Sequence, residues 1–254
     1  MGFDAPHLQH PPIVQVICGI LFTPVEDLDP LGLGIYWNER VDDYPTKSLQ
    51  LALVDASELA SGFDLMPMRA VFVGKDDQFL LQLQRDRFFV NWRKRGARYP
   101  RFSTAEGVLS RTETEFRTFR NFVSKRFGKD LDIRRIDASK IDLLTRGAHW
   151  QDLKDLAELI PLAGVMDAIQ QAHSREFNLT FVEHGELGDL TINLRTLGDA
   201  NNPTSVRIES RVNCEANIDT IWRKFGDANA ALNHAFFKIL NRDALGRFDK
   251  EVAR

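Results

Sequence analysis

Three short segments in the second half of the chain alternate apolar and polar side chains with period two. Phe177, Leu179 and Phe181 interleave with Asn178 and Thr180; Leu190, Ile192 and Leu194 with Thr191, Asn193 and Arg195; Val206, Ile208 and Val212 with Arg207, Glu209 and Arg211. Successive side chains of a strand point to opposite faces, so each segment predicts a strand with one buried and one open face. The connections Gly185-Glu186-Leu187-Gly188 and Asp199-Ala200-Asn201-Asn202-Pro203 have hairpin composition, which makes the sheet antiparallel.

The first half carries the same order of elements. Ile13 to Phe22 is β-branched and apolar between prolines, hence a strand. Asp29-Pro30 predicts an N-cap with proline at the first helical position, and Leu33, Tyr36, Trp37, Val41 and Tyr44 continue the helical spacing to Pro45. Leu49 to Val54, Arg69 to Val73 and Phe79 to Trp92 predict strands, the last of them long enough to be two. Ser103-Thr104-Ala105-Glu106 has the pattern of a capping box, and Leu109, Thr112, Phe116, Phe119, Val123 and Phe127 trace one face of a long helix that Gly128 ends. The second half adds a strand within Leu131 to Leu144 and a short helix from Trp150 to Ile160. It closes with a helix bearing Leu232, Ala235, Phe236, Ile239 and Leu240.

The expected architecture is therefore α+β, as two similar halves, residues 1–129 and 130–254, each strand, helix, three or four antiparallel strands and a long helix. The helices would pack on one side of a curved sheet. The halves share no residue-level identity, so the internal duplication rests on element order. The layout is similar to TATA-binding-protein-like and helix-grip folds, in which one sheet face is left for a partner or ligand.

A chain of 254 residues with 43% hydrophobic and 27% charged residues can bury a substantial core, which excludes disordered and low-complexity classes. No apolar run reaches membrane-spanning length, and residues 1–12 lack the basic start and apolar stretch of a signal peptide. Two cysteines, Cys18 and Cys214, are too few for a disulfide framework, and the expected compartment is a reducing cytoplasm.

Two stretches carry a resemblance. Pro11-Pro12-Ile13-Val14 runs into Cys18-Gly19-Ile20-Leu21-Phe22; Leu81 to Phe88 is followed by Asn91-Trp92-Arg93-Lys94 and Tyr99-Pro100-Arg101-Phe102. The chain resembles a sporadically distributed bacterial protein family of about this length with no assigned activity, over nearly its whole extent. The resemblance implies no catalytic residues. The family's patchy occurrence implies horizontally transferred genes and a defence or toxin-antitoxin context.

The net charge of −3 conceals a segregation. Residues 85–129 hold 13 Lys or Arg against 4 acids, a local net of +9 on a remainder of −12. Within it, Arg93, Lys94, Arg95, Arg98 and Arg101 lie beside Trp92 and Tyr99 in the connection between a strand and the capped helix. Guanidinium forks bind phosphates bidentately, aromatic rings stack on bases, and a helix start adds free amides. These seven residues are the candidate contact for nucleic-acid phosphates or an acidic protein. The same arginines could instead be neutralised by the chain's own acids. Most Phe fall on buried faces, and the open strand faces carry Asn178, Thr180, Asn193, Arg195, Arg207, Glu209 and Arg211, a mixed-charge surface better matched to a protein partner or an internal ladder of ion pairs.

Catalysis finds little support. No phosphate loop, dinucleotide fingerprint, nucleophile elbow or zinc-ligand spacing is present, so no catalytic residue, metal or cofactor is assigned. Glu183-His184-Gly185-Glu186 with Asp189 is the most metal-like cluster, but it falls in an expected hairpin turn. The expected function is that of a non-enzymatic binding or regulatory protein. The alternatives are a defence-complex subunit or antitoxin binding through the open sheet face, or a helix-grip protein holding a small molecule between sheet and helix.

Overall fold

The computed structural model describes residues 8–52, 68–96, 98–162, 176–199 and 202–249. Its nine strands form an antiparallel sheet in the order β2-β3-β4-β5-β1-β6-β9-β8-β7, and the chain is α+β. The strands are β1 (Ile13–Phe22), β2 (Thr46–Leu51), β3 (Met68–Val73), β4 (Phe79–Gln84), β5 (Arg87–Arg93), β6 (Ile133–Thr145), β7 (Asn178–Gly185), β8 (Gly188–Asp199) and β9 (Asn202–Glu215). The described helices are α1 (Pro30–Glu39), α2 (Val108–Phe127), α3 (Leu153–Leu159), α4 (Ile221–Ile239) and a 3₁₀ helix, Arg242–Asp249. None of them is long and apolar enough to cross a membrane.

Two compact units divide the chain. An amino unit holds Ile17–Asp137 with Glu215–Phe225; a carboxy unit holds Met1–Val16, Ala138–Cys214 and Gly226–Arg254. The chain crosses between them inside β1, β6 and α4 and at the last residue of β9.

In the amino unit, α2 lies on β5, with Phe88 against Phe116 and Phe119 at ring separations of 5.4 and 5.1 Å. Phe22 and Tyr36 meet Phe119 from β1 and α1. This aromatic layer is the expected face of the long helix, and Gly128 closes it in a left-handed conformation, φ 65°, that glycine adopts without a Cβ penalty. Gly19 has a different purpose: a Cβ there would stand 2.3 Å from the Phe89 ring, so the glycine makes room for a phenylalanine on the neighbouring strand.

Several boundaries differ from the periodicity. Asp29 does cap α1, accepting from the Gly32 amide at 2.8 Å, but the helix ends at Glu39. Val41 and Tyr44 follow in a turn, where the Tyr44 carbonyl takes the Trp37 indole N–H. The strand expected over Leu49 to Val54 is β2; residues 53 and 54 lie outside the described residues. β2 is exposed at every position.

The capping box at Ser103 does not form. Residues 102–107 make a tight turn in which a Cβ on Gly107 would stand 2.6 Å from the Phe102 carbonyl oxygen, and α2 begins at Val108 without a side-chain cap. Its first two amides are instead taken by main-chain oxygens, Val108 N–H by Arg101 and Leu109 N–H by Phe102.

In the carboxy unit the hairpins pair as expected, but β7 is an edge strand without a buried face and Phe181 is exposed. Asn178 to Gly185 pairs with Arg195 to Gly188, and β8 pairs in turn with β9. Even-numbered residues of β9 from Val206 to Cys214 are buried, as expected for a one-sided strand. Leu144, Leu194, Val206 and Ile208 pack with Phe236 and Leu240 of the α4 end, and with Trp150, Leu156 and Phe248. Trp150 precedes α3, which begins at Leu153 behind an Asp152 cap, and its indole N–H donates to the Leu144 carbonyl.

Candidate anion-binding surface

The end of β5 and the connector to α2 carry the seven residues singled out by charge and aromaticity, and the structure separates them into three kinds. Trp92 is a core residue, fully buried, with the Tyr99 ring 5.1 Å from it. Neither Trp92 face is open to a base. The Tyr-Pro-Arg-Phe piece folds back over the strand end: Phe102 is buried, and Arg101 adopts φ 68°, in the left-handed region. The carbonyls of Arg101 and Phe102 then occupy the helix amides that would have faced a phosphate, so that part of the expected anion site is absent.

Arg93 and Arg95 share one acid. Arg93 pairs with Asp77 through its guanidinium and donates from Nε to the Asp77 carbonyl at 2.8 Å; Arg95 Nε lies 2.9 Å from the second Asp77 carboxylate oxygen. Asp77 is placed by the β3–β4 turn, where it holds φ 56°.

Lys94 and Arg98 remain. Both are exposed, and no acid among the described residues pairs with either. They stand at either end of the bend that includes Gly96, which itself has positive φ.

The wider +9 segment is less cationic in space than in sequence. Besides Arg93 and Arg95, Arg87 pairs with Asp86, Arg111 with Glu115, Arg117 with Glu113, Arg120 with Asp130 and Lys129 with Asp27. At least seven of its 13 cations therefore have an acid beside them. The Lys129 ammonium is raised by the Asp27 carboxylate that accepts from it. Surface pairs of this kind are individually weak, but they cancel the far field that steers a polyanion.

Sequence reasoning missed a buried ion cluster on the same helix. Glu115 is buried on α2, and Arg40 grips it with two nitrogens, Nη1 to Oε2 at 2.8 Å and Nη2 to Oε1 at 3.2 Å. Arg111 reaches the same carboxylate at 3.0 Å and the Tyr44 hydroxyl at 3.2 Å; Arg40 also donates to the Tyr36 hydroxyl. Burial raises the Tyr36 and Tyr44 phenols well above their ordinary value. Burial alone would lower the Arg40 guanidinium, but its bond to Glu115 outweighs that and raises it. The signal available in sequence was Glu115 itself, a charged residue one position before Phe116 on the apolar face.

The metal-like cluster is a hairpin end. His184 and Asp189 are register partners across β7 and β8, with Nδ1 and Oδ1 2.7 Å apart, and Glu183 faces Lys238. Among the described residues no three His, Cys, Asp or Glu side chains are grouped to hold a metal ion. Cys18 and Cys214 are buried and are not joined in a disulfide. An open cleft beside the 3₁₀ helix, lined by Glu158, Asn241, Asp243 and Arg247, has its one guanidinium committed to Asp155, Glu158 and the carbonyls of His149 and Asp155.

No family model, no curated protein and no solved structure matches the chain.

Proposed function

We propose that this is a non-enzymatic binding protein that takes an acidic protein segment on the connector between β5 and α2, through Lys94 and Arg98 with Arg95 beside them. The observation that carries the reading is that Lys94 and Arg98 are exposed and unpaired among the described residues, on a connector tied down by Tyr99 against Trp92.

Two features favour an acidic peptide over nucleic acid. The aromatic rings of the connector face inward, which removes the stacking platform that single strands need. Asp77 sits among the arginines, so the surface alternates in sign, and complementary alternation selects a protein partner over a uniform phosphate backbone.

The test is a titration of the full chain with a fluorescent Glu/Asp-rich peptide and with DNA and RNA oligonucleotides at two salt concentrations. The peptide is expected to bind, and Lys94→Ala with Arg98→Ala to abolish most of that binding. Oligonucleotide binding with a log–log salt slope steeper than about −3, several phosphates' worth, would move the assignment to nucleic acid. No binding to any of the probes would remove it.

A further inference from the structure

We propose that Asp142 is a proton-operated latch for α4: the helix is held on the sheet while the carboxyl carries its proton, and loosens when the proton leaves. Two charged residues sit where the β6 pattern calls for apolar ones. Even-numbered side chains of β6 face α4 in the carboxy unit, and between Ala138 and Leu144 they are Lys140 and Asp142. Asp142 is only 6% exposed. None of the described hydrogen bonds ends on its carboxyl.

The same layer holds further buried polar atoms without partners among the described residues. Backbone bonds from Arg146 N to the Thr204 oxygen and from Ala216 N to the Arg134 oxygen bracket β6 against β9, and their common register sets Lys140 opposite Ser210 and Asp142 opposite Ile208. The Ser210 hydroxyl is buried with no partner, as is the side-chain oxygen of Asn229 on α4. Lys140 Nζ donates to Asn233 Oδ1 at 2.6 Å, one turn beyond Asn229 on the helix. Lys140 is the charged group that acts on Asp142. Facing it, β9 presents Ser210 and Ile208 and α4 presents Asn229 and Asn233, all neutral; His234 and Lys238 of the same helix lie on its exposed side. Groups left unsatisfied in one layer under one helix are where the cost of a buried charge falls on the packing of that helix.

Burial raises the Asp142 carboxyl to about 7, with the Lys140 ammonium opposing the shift only in part. An opened helix would return the carboxyl to its ordinary value. The closed state therefore holds a proton that the open state releases between the ordinary carboxyl range and about 7. Raising the pH through that window favours opening, and above it the effect is constant.

The experiment is amide hydrogen exchange on the full chain at pH 5.5 and 8.5, with intrinsic rates corrected. Opening of α4 is expected to increase by up to about 30-fold at the higher pH in the native sequence. Asp142→Asn, which fixes the neutral form in nearly the same shape, is expected to remove the increase, and His234→Gln to leave it intact. Three results would overturn the latch: α4 protection that does not change with pH, a dependence that survives Asp142→Asn, and an equal loss in all elements, which is global instability.

Discussion

The two units each bury a carboxylate beneath a long helix, and they treat it in opposite ways. In the amino unit Glu115 lies under α2 with a bidentate Arg40 at 2.8 and 3.2 Å, Arg111 at 3.0 Å, and the Tyr36 and Tyr44 hydroxyls on those same arginines. In the carboxy unit Asp142 lies under α4 with one ammonium for a neighbour and no hydrogen bond among those described. A carboxylate with two guanidiniums is a fixed charge that organises the elements around it. One left almost alone keeps its proton near neutrality and makes its helix answer to pH. The lesson is that burial does not decide whether an acid is structural or responsive; the number of donors aimed at it does.

The sharpest break of this comparison is Glu115→Ala. It leaves two guanidiniums facing each other, and because Arg111 is partly exposed the loss is expected at about 3 kcal/mol, the lower end for a broken buried pair, read by chemical denaturation. Asp142→Asn should act with the other sign. The folded-state value is raised, so the native sequence is most stable below the ordinary carboxyl range and loses stability up to about pH 7. Removing the charge is expected to stabilise the protein by up to about 4 kcal/mol at pH 8 and to change little at pH 4. Equal effects at both pH values would show that Asp142 is a packing residue.

Smaller still is Arg111→Lys, which keeps the charge but loses the fork that spans Glu115 and Tyr44, at a cost of about 1 kcal/mol. At the bottom of the series, Lys94→Ala with Arg98→Ala should leave stability within about 0.5 kcal/mol, since neither side chain holds the fold. Its effect belongs to peptide binding alone, and a large loss of stability from that pair would contradict the exposed, unpaired placement.

Elements whose signal is local were legible in the sequence. Asp29-Pro30 marks the start of α1, the alternation of Phe177 to Val212 marks the three late strands, and the Phe116, Phe119 and Val123 stripe marks the buried face of α2. What was not legible depends on groups that periodicity does not see. Helix α2 starts five residues after Ser103 because main-chain oxygens of Arg101 and Phe102 do the capping, and a carbonyl has no letter. The charge of residues 85–129 was legible, but not its partners: Asp77 and Asp27 precede the segment and Asp130 follows it. Trp92 read as a stacking surface because the connector is basic, but it belongs to β5, which is buried on both faces from Arg87 to Trp92. Lys140 and Asp142 were hidden in a strand recognised from its apolar neighbours.

The fit of Phe89 against Gly19 also constrains how such a chain can drift. Any descendant that acquires a methyl at position 19 must shrink the ring at 89, and any descendant that loses the ring gains licence for a side chain at 19. The two positions should therefore vary as a pair, leaving a trace of this strand pairing in kin whose sequences have otherwise diverged beyond comparison.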